Sequence, residues 1–333
     1  MPLKLSPLQI EKYPKFQSSF PWLGSDLQTL RDFLMPRPKI LQSKSSKMIN
    51  FMMTDGTDDK LSAKLNICHT ENTHTPLVIL IHGLTGCANS SYMLRSADYF
   101  LKLGYSVLRL NLRGAKPKQD RCKEHYHAGR GGDLEVVLNQ LVKRGLGSNG
   151  FLIIGFSLGG SILLKFLEEF GQSYEIHAAV SISAPIDLVL TSERLMQPRN
   201  KLYHRWLLNS MKRSALALKD LNERQKKAIR TAKTVFEFDD RFIAPHNNYL
   251  GALDYYKQCS SKDTIDNIMI PTLMISGLND PWVPSKMYLS KDWTASSYVR
   301  AILPDNGGHV GFHDRRGCWY NRVSKIFFSE LGF

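Results

Sequence analysis

A serine between two glycines is the first feature of the chain that could perform chemistry. The stretch Gly155-Phe156-Ser157-Leu158-Gly159 follows a β-rich apolar run and precedes an amphipathic helix predicted to start at Ser161. A sharp strand-to-helix turn strains the serine backbone, and side chains two residues to either side would clash there. The motif also occurs by chance, but this context favours catalysis. We therefore predict that Ser157 is a nucleophile and that the Leu158 amide, at a helix N-terminus, faces a developing oxyanion.

A serine hydroxyl needs a general base, and that base needs an acid to orient it. Asp280, in Asn279-Asp280-Pro281, follows an apolar strand, where its carboxylate can face a pocket, although aspartate beside proline is also an ordinary turn residue. His309 comes after the last predicted strand, and Gly307 and Gly308 would allow a mobile loop to bring its imidazole to the serine. The order serine, acid, histidine is the one that α/β sheets with this serine turn use.

Three nearby residues are weaker candidates for the same roles. They are His313, Asp314 and Asp187, the last because a carboxylate one strand earlier could serve as the acid. The second oxyanion amide is predicted to come from Leu84, in the loop after His82-Gly83. His82 itself is interpreted as a structural residue at the end of a strand.

Strands and helices alternate from residue 76 onward, and they must position these side chains. Apolar runs predict strands at 77–81, 105–111, before Ser157, 176–183, 271–277 and 298–304. Helices are predicted at 91–103, at 133–144 with Asp133 as its N-cap, after Ser157, and at 319–331. This pattern predicts one α/β domain over residues 1–333, with a mostly parallel sheet covered by helices on both faces. Ligands bind such sheets at the carboxyl ends of the strands.

Two further segments flank or interrupt this pattern. Residues 1–45 are rich in proline and predict an extension packed on the core, with an amphipathic helix at 26–34 and no functional role. Residues 47–53 and 61–67 predict an antiparallel hairpin at the edge of the sheet.

The segment 188–245 predicts a long helical insertion between two strands. It is strongly basic from Arg194 to Lys233, where the only acids are Asp220 and Glu223. We interpret it as a helical cap over the active site. The alternative is a surface that docks onto an anionic membrane.

Composition narrows the class of protein. The chain has 333 residues, of which 43% are hydrophobic, and no apolar run approaches the roughly 20 residues that cross a bilayer. The start of the chain lacks the features of a signal peptide, so a cytoplasmic location is expected. The net charge is +14, but outside the one concentration at 194–233 the basic residues are spread along the chain, and they match no nucleic-acid motif. The cysteines lack C-x-x-C spacing and predict free thiols, not a metal site. They are Cys68, Cys87, Cys122, Cys259 and Cys318.

The motifs together resemble the YheT-like family of the α/β-hydrolase superfamily, which also includes eukaryotic abhydrolase-domain lipid esterases. The matching stretches are 26–30, 82–86, 111–114, 126–127, 155–160, 238–245 and 307–312. This resemblance implies an α/β-hydrolase fold and a serine hydrolase that acts on carboxylic esters. It also implies a triad of Ser157, Asp280 and His309.

Two functional hypotheses follow from the sequence. The first is an esterase that cleaves short- to medium-chain acyl or lipid esters through an acyl-enzyme, without a metal or organic cofactor. The second is a weakly catalytic or non-catalytic module that binds anionic lipid through its basic insertion. The sequence predicts neither the physiological ester nor the oligomeric state.

Overall fold

The computed structural model of the chain describes residue 5 and residues 10–38, 46–68, 75–116 and 122–333. The expectations for 1–4, 6–9 and 39–45 of the N-terminal extension lie outside these residues. In the part of the chain that is described, no helix has the length and apolar character needed to span a membrane. All five cysteines are free, as predicted.

Eight strands form one sheet, in the order β1-β2-β4-β3-β5-β6-β7-β8. Their bounds are β1 Lys47–Met52, β2 Lys60–Asn66, β3 Leu77–Ile81, β4 Val107–Asn111, β5 Phe151–Phe156, β6 Ile176–Ile182, β7 Thr272–Ile275 and β8 Val299–Ile302. Strand β2 is antiparallel to both of its neighbours, and all pairs from β4 to β8 are parallel. The predicted mostly parallel sheet with an antiparallel hairpin at its edge is confirmed.

The central strands are buried along their whole length because helices cover both faces of the sheet. In β3 and β5, successive side chains point to opposite faces. Ile79 and Ile153 therefore join one hydrophobic core, and Leu80 and Ile154 join the other. This double burial explains why these strands are continuous apolar runs without alternation.

Twelve α-helices are found in the described residues, together with a two-stranded hairpin, β9 His313–Asp314 and β10 Gly317–Cys318. The helices are α1 Gly24–Leu34, α2 Ser91–Lys102, α3 Gly131–Lys143, α4 Leu158–Phe170, α5 Leu188–Met196, α6 Lys201–Ala215, α7 Glu223–Thr231, α8 Val235–Phe238, α9 Ala244–His246, α10 Ala252–Cys259, α11 Lys286–Leu289 and α12 Trp319–Glu330. Helices α3 and α4 contribute to one core, and α2 and α12 to the other.

Two details of the predicted helices are wrong. Helix α4 begins at Leu158, directly after the serine, and not at Ser161. Helix α3 has Arg130 at its N-cap, so Asp133 lies inside the first turn. There Asp133 accepts two hydrogen bonds from the Arg113 guanidinium instead of capping the helix.

The segment between β6 and β7 is helical, as its pattern indicates. It contains α5 to α10, and a π-helical turn at Asp239–Ile243 joins α8 to α9. Because β3, β5, β6, β7 and β8 are parallel, their carboxyl ends meet at one edge of the sheet. Loops at that edge carry His82, Ser157, Asp187, Asp280 and His309.

Candidate active site

Ser157 occupies the turn between β5 and α4 with a backbone φ of 51°, in the left-handed region. A Cβ atom on Gly155 would lie 2.6 Å from the Gly159 carbonyl oxygen, and one on Gly159 would lie 2.4 Å from the His82 carbonyl oxygen. Real Cβ atoms do not approach backbone so closely, so both positions require glycine. The tight packing projects the Ser157 side chain from the edge of the sheet.

His309 and Asp280 lie in hydrogen-bonded series with this serine. The Nε2 atom of His309 is 2.9 Å from Ser157 Oγ, and its Nδ1 atom is 2.9 Å from Asp280 Oδ2. Because a carboxylate only accepts, Nδ1 carries the proton and Nε2 presents a lone pair to the hydroxyl. The other oxygen, Asp280 Oδ1, accepts from the Trp282 and Val283 amides at 2.8 and 3.0 Å.

The His309 imidazole is also held by packing. The Trp282 indole stacks on it, with ring centroids 4.4 Å apart. The backbone on either side is fixed by side chains: the Gly308 amide donates to Asn279 Oδ1, and the Val310 amide donates to Ser183 Oγ. In this arrangement His309 already contacts Ser157, so contact requires no movement of the loop.

Helix α1 is the element that sequence reasoning left without a role. Thr29 Oγ1 accepts from the His309 amide at 2.8 Å, and the Gln28 side chain binds both backbone groups of His313 at 2.7 and 2.9 Å. A Cβ atom on Gly308 would lie 2.4 Å from the Ser25 carbonyl oxygen, so the helix and the loop are in close contact. In the sequence, the signal that α1 has a role was the stretch 26–30, which is one of those that carry the family resemblance.

Two backbone amides next to Ser157 are available to an oxyanion. In the loop after β3, the amides of Gly83, Thr85 and Gly86 donate to Tyr92, Tyr126 and Gly83, respectively. The Leu84 amide has no acceptor among the residues that the structure describes. The Leu158 amide belongs to the first turn of α4, where amides lack an intrahelical partner.

Comparison with known proteins places this chain in a family. The family model described as "alpha/beta hydrolase fold" matches residues 76–315. The chain belongs to the α/β-hydrolase family. The putative esterase YheT of Escherichia coli (strain K12) is 32% identical to this α/β-hydrolase over 246 residues, which are 72% of this chain and 71% of that protein. The expected resemblance to the YheT-like family is thereby confirmed.

One more relative and one solved structure extend the comparison. Human phospholipase ABHD3 is 25% identical over 323 residues, which are 93% of this α/β-hydrolase and 77% of that protein. Among solved structures, an esterase of Pyrococcus furiosus matches with a TM-score of 0.58 and 20% identity, over 88% of this chain and 98% of that one. The likeness to the Pyrococcus furiosus esterase concerns the fold alone.

The two alternative acids of this α/β-hydrolase are engaged elsewhere. Asp187 caps α5 by accepting from the Leu190 amide, and its other oxygen lies 2.7 Å from Lys262 Nζ. Asp314 forms an ion pair with Arg322. Of these three aspartates, Asp280 alone contacts the imidazole of His309.

The two other histidines considered above, His313 and His82, also have partners of their own. His313 Nε2 lies 3.2 Å from Asp32 Oδ1, beneath α1. His82 is fully buried: its Nδ1–H donates to the Gly83 carbonyl, and its Nε2 accepts from the Leu112 amide. Burial lowers the pKa of His82 to about 4, which keeps it neutral at physiological pH. This geometry fits the structural role expected for His82.

An apolar cavity opens beside Ser157. Leu84, Leu158 and His309 border it near the serine. The helices inserted between β6 and β7 line most of the rest, mainly with Leu188, Leu195, Leu207, Met211, Val235, Phe238 and Ile243, and the loop after β4 adds His125, Tyr126 and His127. Such a cavity suits a hydrocarbon chain, because it removes apolar surface from water.

A second, more polar groove reaches Ser157 and His309 from the side of α1. It runs between α1, the loop after β3 and α6. Its lining includes the apolar side chains Phe33, Met35, Trp206 and Trp282 and the cations Arg37 and Lys116. The serine therefore lies where two spaces of different character meet.

Proposed function

We propose that this α/β-hydrolase is an esterase whose nucleophile is Ser157. The observation that carries the proposal is the hydrogen-bonded series Asp280–His309–Ser157 beside an apolar cavity. The esterase and phospholipase names of the relatives support the same class of reaction. The segment 188–245 would act as the cap over the acyl chain.

The proposed reaction has two halves. His309 Nε2 takes the proton of Ser157 as Oγ bonds to the ester carbonyl carbon, and the amides of Leu84 and Leu158 stabilise the oxyanion. Asp280 holds the imidazolium. The ester C–O bond then breaks, and Nε2–H protonates the departing alcohol. Water, deprotonated by His309, attacks the acyl-serine, and the carboxylic acid leaves as Ser157 regains its proton.

The test of this proposal is the loss of the serine hydroxyl. Ser157→Ala should reduce hydrolysis of short-chain p-nitrophenyl esters to background and abolish labelling by a fluorophosphonate, at an unchanged melting temperature. Ser161→Ala is the matched control, because Ser161 lies in α4 but donates to the Pro185 carbonyl instead. Turnover or labelling that persists in Ser157→Ala would refute the assignment.

The rim of the second groove favours a lipid ester as the substrate. A series of aromatic rings leads outward from His309. The centroid of the Trp282 ring lies 4.4 Å from that of His309, the Trp206 centroid lies 6.4 Å from that of Trp282, and the Phe33 centroid lies 5.0 Å from that of Trp206. Phe33 is 59% exposed and Trp206 40%. Leu202, on the same helix as Trp206, is 82% exposed.

Contacts between α1 and α6 keep these exposed side chains on one face, and the charge beside them is positive. Asp26 of α1 accepts from Arg199 and from Tyr203, which lies in α6, at 2.8 and 2.9 Å. Exposed cations of the second groove and of α6 include Arg37, Lys116, Lys201 and Arg205. We propose that this apolar and basic face docks onto an anionic phospholipid surface, from which a lipid ester enters the groove.

Vesicle sedimentation tests the docking face. The wild-type protein should bind phosphatidylcholine vesicles that contain phosphatidylglycerol and bind pure phosphatidylcholine more weakly. The double variant Phe33→Asp with Leu202→Asp should lose about tenfold in affinity, because two apolar side chains no longer insert. Val142→Asp is the control. Val142 is 53% exposed and lies in the last turn of α3, near the amino ends of the parallel strands and away from the site. Equal binding by the double variant and the control would exclude this face.

A further inference from the structure

The wall of the apolar cavity carries a carboxyl group that the proposed reaction does not use. Asp239 begins the π-helical turn, lines the same cavity as Ser157 and is only 7% exposed. Its neighbours on the wall, Val235, Phe238 and Ile243, are apolar. A carboxyl group in such surroundings is unfavourable unless it is hydrogen-bonded.

Only one of the two Asp239 oxygens has a partner. The Tyr256 hydroxyl donates to Oδ2 at 2.7 Å, and Ser192 Oγ lies 3.3 Å from the same hydroxyl. Oδ1 has no hydrogen-bond partner within the described part of the chain. Because Asp239, Tyr256 and Ser192 come from three different elements and all line the cavity, they form one polar patch on its wall.

A purely structural role does not account for the unpartnered oxygen. The next residue, Asp240, is exposed and fulfils such a role, since its Oδ1 accepts from the Ala252 amide at 3.0 Å. Burial raises the pKa of Asp239 to about 7, although the Tyr256 hydrogen bond opposes that shift. Above that pH the carboxylate is ionised, so Oδ1 carries no proton and can only accept a hydrogen bond.

We propose that Asp239, Tyr256 and Ser192 form a subsite for a hydroxyl group on the acyl chain of the ester. The hydroxyl donates to Asp239 Oδ1, and the apolar wall packs on the rest of the chain. This proposal rests on the proposed function, because the cavity receives an acyl chain only if Ser157 is the nucleophile. The favoured substrates are then esters of hydroxy acids rather than of plain or oxo acids of equal length.

Ethyl esters of matched acids test the subsite. At a pH above 8, a pH-stat measures kcat/KM for plain, hydroxy and oxo acyl chains of one length, with the oxygen moved along the chain. At the best position, the wild-type protein should prefer the hydroxyacyl ester over both others by about tenfold, the effect of one hydrogen bond.

Two variants separate recognition from folding. Asp239→Leu should remove the preference for the hydroxyl and favour the plain chain. In Asp239→Asn the amide oxygen pairs with Tyr256 and the NH₂ group faces the cavity, so the preference for hydroxyacyl over oxoacyl should disappear. This nearly isosteric change keeps the test open if Asp239→Leu does not fold. Asp240→Asn is the control and should retain the wild-type ratios.

The results that would overturn the subsite differ from those that would overturn Ser157 as the nucleophile. Wild-type ratios near one at every oxygen position would overturn the subsite, as would an Asp239→Asn variant that loses activity equally on all three esters. In both cases Ser157 would still react with a fluorophosphonate. Failure of the proposed function would appear instead as no turnover of any ester and no labelling.

Discussion

The Asp280 carboxylate has both of its oxygens engaged, and this fixes what it can do. Oδ1 accepts from two backbone amides, those of Trp282 and Val283, so it cannot rotate toward the imidazole. Oδ2 is left to face His309 Nδ1. The backbone therefore determines which tautomer of His309 lies beside the serine.

Replacement of Asp280 by asparagine should reverse that tautomer. The two amides still require the carbonyl oxygen, so the NH₂ group takes the place of Oδ2 and donates to Nδ1. Nε2 then carries the proton and cannot act as a base. We expect kcat for p-nitrophenyl esters to fall by about 10³- to 10⁴-fold with little change in KM.

Asp187→Asn is the matched control for that experiment. Asp187 caps α5 and pairs with Lys262, away from His309. The asparagine variant should therefore keep kcat within a factor of about two and lower stability only slightly. Steady-state kinetics on both variants decide between the two aspartates. Comparable losses of kcat would mean that the acid has been misassigned.

The buried Asp239 should make stability depend on pH with an unusual sign. Its pKa is raised from 3.8 to about 7 in the folded protein. The folded state therefore holds a proton that the unfolded state has lost, and stability falls as pH rises from about 4 to about 7. Relative to Asp239→Asn, the wild-type protein should lose on the order of 4 kcal/mol over this range. Urea unfolding at several pH values measures the difference, which would stay constant if the carboxyl did not titrate.

Among the helices, α1 has the least expected role, because it positions the histidine loop from the far end of the sequence. Its Thr29 hydroxyl accepts from the His309 amide and donates to the Ser25 carbonyl. Gln28 clamps His313 from the same helix. The loop bearing His309 is thus held by side chains that folding brings from the N-terminal region.

Thr29→Val tests this element. Valine keeps the shape of threonine but leaves the buried His309 amide without an acceptor, at a cost of about 1–3 kcal/mol. Displacement of the loop should lower kcat by roughly tenfold or more, because His309 no longer meets Ser157 at 2.9 Å. Thr29→Ser retains the oxygen and should restore most of the rate. A valine variant with wild-type kcat would show that α1 does not position the base.

These elements also show how far the sequence predicts the molecule. Buried strands such as β3 and β5 are evident because double burial demands continuous apolar residues, and the Ser157 turn is evident because sterics demand its glycines. The role of Thr29 was not predictable from its local pattern, since its partner lies far along the chain and threonine is common in helices. Only the family resemblance of the stretch 26–30 marked this segment. The role of Asp239 escaped for the same reason: nothing in its local pattern distinguishes it from the exposed Asp240.

Across the whole molecule, one buried arginine joins three separate parts of the chain. Arg113, which is 2% exposed, lies 2.6 Å from Asp55, 3.4 Å from Asp59 and 2.6 Å from Asp133. It thereby links the turn after β1, the loop after β4 and the first turn of α3. The Arg113 carbonyl also accepts a hydrogen bond from the amide of Tyr126, a residue that lines the cavity. The stretch 111–114, which carries the resemblance, is therefore a structural junction.

Arg113→Met should destabilise the whole fold. Burial works against the charge of Arg113, but the carboxylates around it raise its pKa, so the guanidinium is fully charged. Methionine fills the space yet leaves Asp59 and Asp133 buried without their cation, and we expect a loss of about 3–5 kcal/mol in the free energy of unfolding. Arg144→Met is the control, because Arg144 is an exposed residue that hydrogen-bonds to the Asn50 carbonyl, and it should cost less than about 1 kcal/mol. Urea unfolding compares the two variants, and equal losses would mean that Arg113 is an ordinary charged residue and not the junction of the fold.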